Sequence, residues 1–218
     1  MARLLFEKKE NAVWISHLDL MRLFQRAFKR AGLPLKHTQG FNPRPYVTIA
    51  LPLSVGIESS CELLDFELEG EYPCSEVLNR LNSCLVEGIR VLDVYDDGRK
   101  IKDLSLLSCR ITLEYDRGIP VDAQEQIELL FKRESLIMEK RNRNGVSQQD
   151  IIPMIRKLEI RREDDNILSL EALVCCQNPT LNPAQISAAI SMYLPEYAPD
   201  FSKCARLEIY DQNEKLFR

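Results

Sequence analysis

Residues 17–31 constrain the fold of this chain more than any other stretch. At about 100° per residue, Phe24, Phe28, Met21 and Ala31 fall with Leu20 in one apolar stripe, and Arg22, Arg26, Lys29 and Arg30 share the opposite face. An amphipathic helix of this length gains most of its stability from covering its stripe, so it requires a sheet or a second helix to lie on. Ser16 stands where an N-cap belongs, with Asp19 three residues on, a spacing close to a capping box. Gly32 and Pro34 end the helix.

The flanking pattern supplies the sheet. Residues 2–9 and 12–16 read as a short strand and its continuation, and Tyr46–Leu53 as a strand rich in Val, Thr and Ile. Over Cys61–Leu68, Leu64, Phe66 and Leu68 alternate with Asp65 and Glu67. Ser75–Leu85 reads as a helix and Gly88–Val94 as a strand. The order is β-α-β-β-α-β, the ferredoxin-like arrangement. The charged turn Asp96–Lys100 is the expected linker. Beyond it, Cys109–Tyr115 alternates as a half-buried strand, 121–134 is helical, and Leu136–Lys140 and Ile155–Arg161 are strand-like around the polar segment Arg141–Gln149. Asn166–Val174 is a strand, Pro183–Tyr193 a helix with proline in its first turn, and Arg206–Tyr210 a closing strand. The expected fold class is α+β, with two tandem ferredoxin-like (βαββαβ) units built on antiparallel sheets, residues 1–100 and 101–218. No repeat is visible in the residues themselves, so the duplication rests on element order.

A chain of 218 residues with 45% hydrophobic and 28% charged content fits a soluble globular protein of one ordinary or two small domains. No run approaches the roughly 18 apolar residues that a membrane span needs. The N-terminus Met1–Glu10 turns polar too soon for a signal peptide, so no membrane and a cytoplasmic location are expected. The seven cysteines, at 61, 74, 84, 109, 175, 176 and 204, are odd in number and contain no CxxC. They read as small reduced hydrophobes rather than as disulfides or ligands, and with two histidines the chain is expected to hold no metal and no cofactor.

Charge points to function. Residues 1–50 carry nine Lys/Arg against three Asp/Glu, a net of +6, in a chain whose net charge is −4. The face of Arg22, Arg26, Lys29 and Arg30 has no acids interleaved for i,i+4 pairing, and the basic excess continues into Lys36 and Arg44. These cations fit an anionic partner, and they also fit an ordinary solvated helix face. The segment Gln39-Gly40-Phe41-Asn42-Pro43-Arg44-Pro45 is a stiff extended loop, since two prolines fix φ and push the preceding residues to extended conformations. Its ring, amide and guanidinium suit a nucleobase and its phosphate, with Gln39 and His37 beside them. A purely structural loop has the same composition. The cluster Lys140, Arg141, Arg143 reads as a basic hairpin or loop that extends a cationic surface. His17, Asp19 and His37 are weak acid/base candidates. His17 and Asp19 are two apart and do not face each other on a helix, so Asp19 reads better as a cap residue.

Several ordered motifs together resemble a known family: Phe6-Glu7-Lys8; Ile15 to Arg22, with its Ser16-His17-Leu18-Asp19; Phe28 to Pro34; Gly40 to Pro45; and Leu51 to Ser59. This set resembles the radical-SAM-linked domain of unknown function of bacteria, found alone or fused behind a radical SAM enzyme. The resemblance implies a standalone copy, frequently encoded beside a radical SAM protein and near ribosome or RNA-processing genes, and it brings no reaction with it. The chain lacks CxxxCxxC and is not itself a radical SAM enzyme. Its leading reading is an RNA-binding or substrate-presenting accessory protein. The alternatives are an RNA-processing or RNA-modifying enzyme using His17 or His37 as acid/base, and a protein adaptor without nucleic acid.

Overall fold

In the computed structural model, which describes residues 1–142 and 145–218 but not the side chains of residues 140–142, the chain divides into two units, Met1–Ile101 with Arg218, and Lys102–Phe217. The first contains β1 (Ala2–Lys8), α1 (His17–Arg30), β2 (Val47–Ile49), β3 (Glu58–Phe66), α2 (Cys74–Asn82) and β4 (Ile89–Tyr95). β1 lies between β4 and β3 and pairs antiparallel with both, and β2 pairs antiparallel with β3. The order in this unit is therefore β4-β1-β3-β2. Leu20, Phe24, Ala27 and Phe28 of α1 are buried. Phe24 meets Phe6 of β1 edge-on at 4.8 Å between ring centres, and Phe28 meets Phe66 of β3 at 4.9 Å. The apolar stripe read from the sequence is the surface that closes this core.

The second unit contains β5 (Leu104–Glu114), α3 (Ala123–Phe131), β6 (Ile137–Asn142), β7 (Gly145–Asp150), β8 (Ile155–Arg162), β9 (Ile167–Cys175), α4 (Ala184–Tyr193) and β10 (Phe201–Asp211). Its sheet runs β10-β5-β9-β8 with every pairing antiparallel, while β6 and β7 form a separate hairpin. Ile111, Ile127, Leu170, Ile186 and Ile190 are fully buried in it. All seven cysteines are free thiols. Among the described residues no helix is long and apolar enough to cross a membrane.

Three local expectations change. Residues 12–16 do not continue β1, because Glu10–Trp14 winds into a 3-10 turn. Glu10 takes φ 51°, and the buried Lys8 ammonium draws the carbonyls of Val13 (3.1 Å) and Ile15 (2.9 Å) inward. The strand expected over Tyr46–Leu53 stops at Ile49, since the Ala50 amide makes the last bond to Leu63 and Pro52 has no N–H to give. The polar segment after Lys140 contains the strand β7, whose exposed residues carry no burial alternation for a reader to detect.

Candidate functional site

The site is built around α1. Ser16 caps the helix: its hydroxyl accepts from the Asp19 amide at 3.2 Å and donates to the Asp19 carboxylate at 2.8 Å. The other oxygen of that carboxylate accepts from Arg22 at 3.0 Å. These donors hold the Asp19 carboxyl below its ordinary value, the serine hydroxyl contributing most and Arg22 next. The cationic face is thus not free of acids, since the helix neutralises one of its own cations at i,i+3. With both carboxylate oxygens engaged by Ser16 and Arg22, no bond from Asp19 to His17 is present.

Past the helix the chain forms an arm. The Lys36 amide bonds the Glu67 carbonyl at 2.9 Å, and the Glu69 amide bonds that of Pro34 at 2.8 Å, so the arm starts alongside the end of β3. It then folds back on itself. The Tyr46 amide reaches the Lys36 carbonyl and the Thr38 amide the Arg44 carbonyl, both at 2.8 Å, while the Thr38 hydroxyl accepts from the Arg44 amide at 2.9 Å. On the returning limb the bonded amides belong to Arg44 and Tyr46, so prolines at 43 and 45 remove no bond that this ladder needs. Gly40 turns the tip with φ 128°, open to few other residues. Phe41 at the tip is fully exposed, at 106% of its reference area, and Gln39, Asn42 and Arg44 are exposed beside it.

Between α1 and the arm lies an open groove of about 700 Å³. Gln25, Arg26 and Lys29 line it from the helix, Gly32–Leu35 from the turn, His37 and Pro45 from the arm, and Glu69 from the chain beyond β3. Arg26 and Lys29 are exposed and form no ion pair among the described residues. Two neighbouring cations have other engagements. Arg30 donates to the Cys84 carbonyl at 2.5 Å, and Lys36 lies 3.7 Å from the Glu67 carboxylate. The groove therefore unites Arg26, Lys29 and His37, with Arg44, Phe41 and Asn42 on the adjoining tip, whereas His17 and Asp19 stand at the far end of the helix. Lys140 and Arg141 lie in β6, opposite Ser147 and Val146, in the second unit. Their side chains and Arg143 fall outside the described residues.

Two of the nine cations counted in residues 1–50 are internal. Arg3 is 4% exposed and forms a two-pronged bridge to Asp65 at 2.6 and 3.1 Å. Lys8 is 1% exposed; burial pushes its ammonium down from the ordinary lysine value, and Glu62 nearby opposes the shift. Its bonds shape the turn that leads into the Ser16 cap. Sequence reading also passed over Trp14, which is 69% exposed at the end of that turn. Its ring lies over Gly56, where a Cβ would stand 3.4 Å from it, and the Gly56 amide bonds the Val13 carbonyl at 2.9 Å. The signal available for it was the pairing of an isolated tryptophan with a distant glycine, which no local periodicity carries.

The chain has a fold similar to one in a solved Cbf5-Nop10-Gar1 complex, with a TM-score of 0.53 and 9% identity, covering 97% of this chain. This chain spans half the length of that solved one. An unknown protein from Galdieria sulphuraria also aligns, at a TM-score of 0.27 and 10% identity, over 94% of this chain and 96% of the other. No curated protein matches the sequence. The architecture is mixed α+β on antiparallel strands, and the likeness at 9% identity is one of fold. Residues 2–183, which include the capped basic helix, the arm and its groove, match the family described as an uncharacterized protein conserved in bacteria (DUF2344), and the chain belongs to that family.

Proposed function

We propose that this chain is an RNA-binding accessory protein of the cytoplasm that presents RNA to a radical SAM enzyme. On this reading each unit is a ferredoxin-like module, since β4-β1-β3-β2 and β10-β5-β9-β8 follow the same order of first, second, third and fourth strands, the hairpin β6–β7 being an insertion in the second. The observation that carries the proposal is the groove: Arg26 and Lys29, exposed and without an ion pair among the described residues, line it with an arm whose tip carries Arg44 and Phe41. Two exposed cations on one wall attract a phosphate backbone, and an arm with a ring, an amide and a guanidinium supplies contacts to a nucleotide. The radical SAM partner comes from the motif resemblance in the first seventy residues.

The test is binding of total tRNA and of ribosomal RNA fragments to the full chain at about 50 and 200 mM salt, where release of condensed counterions makes phosphate binding fall steeply. Binding is expected at the lower salt and weakens at the higher. The double variant Arg26→Glu/Lys29→Glu is expected to bind at least about tenfold more weakly and with a shallower salt slope. Absence of binding at the lower salt, or binding indifferent to salt, rejects the proposal.

A further inference from the structure

Trp14 remains unexplained by the groove alone. It is the single tryptophan of the chain, and it stands in solvent two residues before the Ser16 cap. The 3-10 turn built by Lys8 sets its position, and Gly56 lies against the ring, where a Cβ would stand in ordinary contact at 3.4 Å. One side of the ring is thus supported while most of its surface stays open. Phe41 stands fully exposed on the tip of the arm, which follows the other end of α1 in the chain and whose base shares the groove with it. The two are related through β2: the arm that carries Phe41 enters that strand, and the loop that underlies Trp14 leaves it. Between them in the chain runs α1, 14 residues and about 20 Å long, with Arg26 and Lys29 exposed along it and Arg22 held by Asp19.

A duplex hides its base faces and is bound through phosphates and sugar hydroxyls, which gives no use to exposed rings. Rings set along a cationic track are the arrangement that takes single strands, because every base has a face to stack. Taking this surface as an RNA site, we propose that its ligand is single-stranded, with bases stacked on Trp14 and on Phe41 and the intervening phosphates against the cations of α1. The strand then passes along the whole helix rather than sitting only in the groove.

The single tryptophan makes the test direct. The full chain is titrated with a labelled single-stranded RNA of about 12 nucleotides, within the site sizes of small single-strand binders, and with the perfect duplex of the same sequence. Anisotropy reports binding and intrinsic fluorescence reports Trp14. The single strand is expected to bind at least about tenfold more tightly than the duplex, and to quench the tryptophan along the same curve as the anisotropy. Trp14→Leu and Phe41→Ala are each expected to weaken single-strand binding about 5- to 100-fold, and Trp14→Phe to retain most of it, with unchanged circular dichroism for all three. Equal binding of duplex and single strand, or anisotropy that rises with unaltered tryptophan emission, overturns the stacking proposal and leaves RNA binding standing. Binding of neither RNA at about 50 mM salt removes both.

Discussion

Asp19 performs two tasks with one carboxylate, closing the cap with Ser16 and drawing Arg22 back along the helix. Its carboxyl titrates below the ordinary value of 3.8, so in acid the folded chain holds this group ionised where the unfolded chain has protonated it. The stability it contributes is fully present above 3.8 and is lost as pH falls through the lower folded value. In an NMR titration of the side-chain carbonyl, Ser16→Ala is expected to move Asp19 up toward 3.8 by more than Arg22→Ala does, following the order of their contributions. Ser16→Ala also removes the cap acceptor and is expected to lower stability by about 1 kcal/mol, read from denaturant unfolding. At this scale the cap was legible in the sequence, because it involves residues three apart. The internal positions of Arg3 and Lys8 were not, since their partners Asp65, Val13 and Ile15 are brought to them by strand pairing and by a turn.

Between β1 and α1 the 3-10 turn decides which way the helix starts and where Trp14 stands. Gly88, just before β4, fixes that turn from below: its carbonyl accepts from the Lys9 amide at 2.8 Å. Gly88 has φ +80°, and a Cβ there would stand 2.4 Å from the Lys9 carbonyl and 2.9 Å from the Ala12 side chain. Gly88→Ala combines left-handed strain with a main-chain clash and is expected to destabilise the fold by about 2–3 kcal/mol in denaturant unfolding. Gly56→Ala, whose nearest neighbour is the edge of an exposed ring at 3.4 Å, meets no such main-chain clash. The elements with strong periodicity were read correctly in kind from the sequence. α1 ends within one residue of its expected limit, and β3 and β4 shift by a few residues or less at each end. The turn at Glu10–Trp14 and the strand β7 escaped that reading. One is held by a side chain from outside its own segment, and the other is a polar strand that alternates nothing.

At the scale of the whole molecule, a net charge of −4 and a pI of about 5.4 argue against adhesion to polyanions, whereas the local geometry argues for it. Adhesion follows the local field, because at physiological salt charges more than about 8 Å apart are largely screened from one another. The chain is accordingly expected to be retained on immobilised heparin at neutral pH and low salt despite its acidic total. Arg26→Glu/Lys29→Glu is expected to elute at clearly lower salt, while Lys132→Glu, at the residue that ends α3 and already lies 3.7 Å from Glu128, is expected to elute with the parent. The sequence by itself determined the α+β class, the order of helices and main strands, the apolar stripe of α1 and its cap, because each is written in neighbouring residues at a fixed period. Only the tertiary structure decided which cations are buried and which exposed ones have partners. Strand pairing buries Arg3 against Asp65, a tight turn buries Lys8, and the ends of α2 and β3 engage Arg30 and Lys36. That leaves Arg26 and Lys29 to line a groove whose other wall, the arm, is positioned by main-chain bonds to residues about thirty positions away.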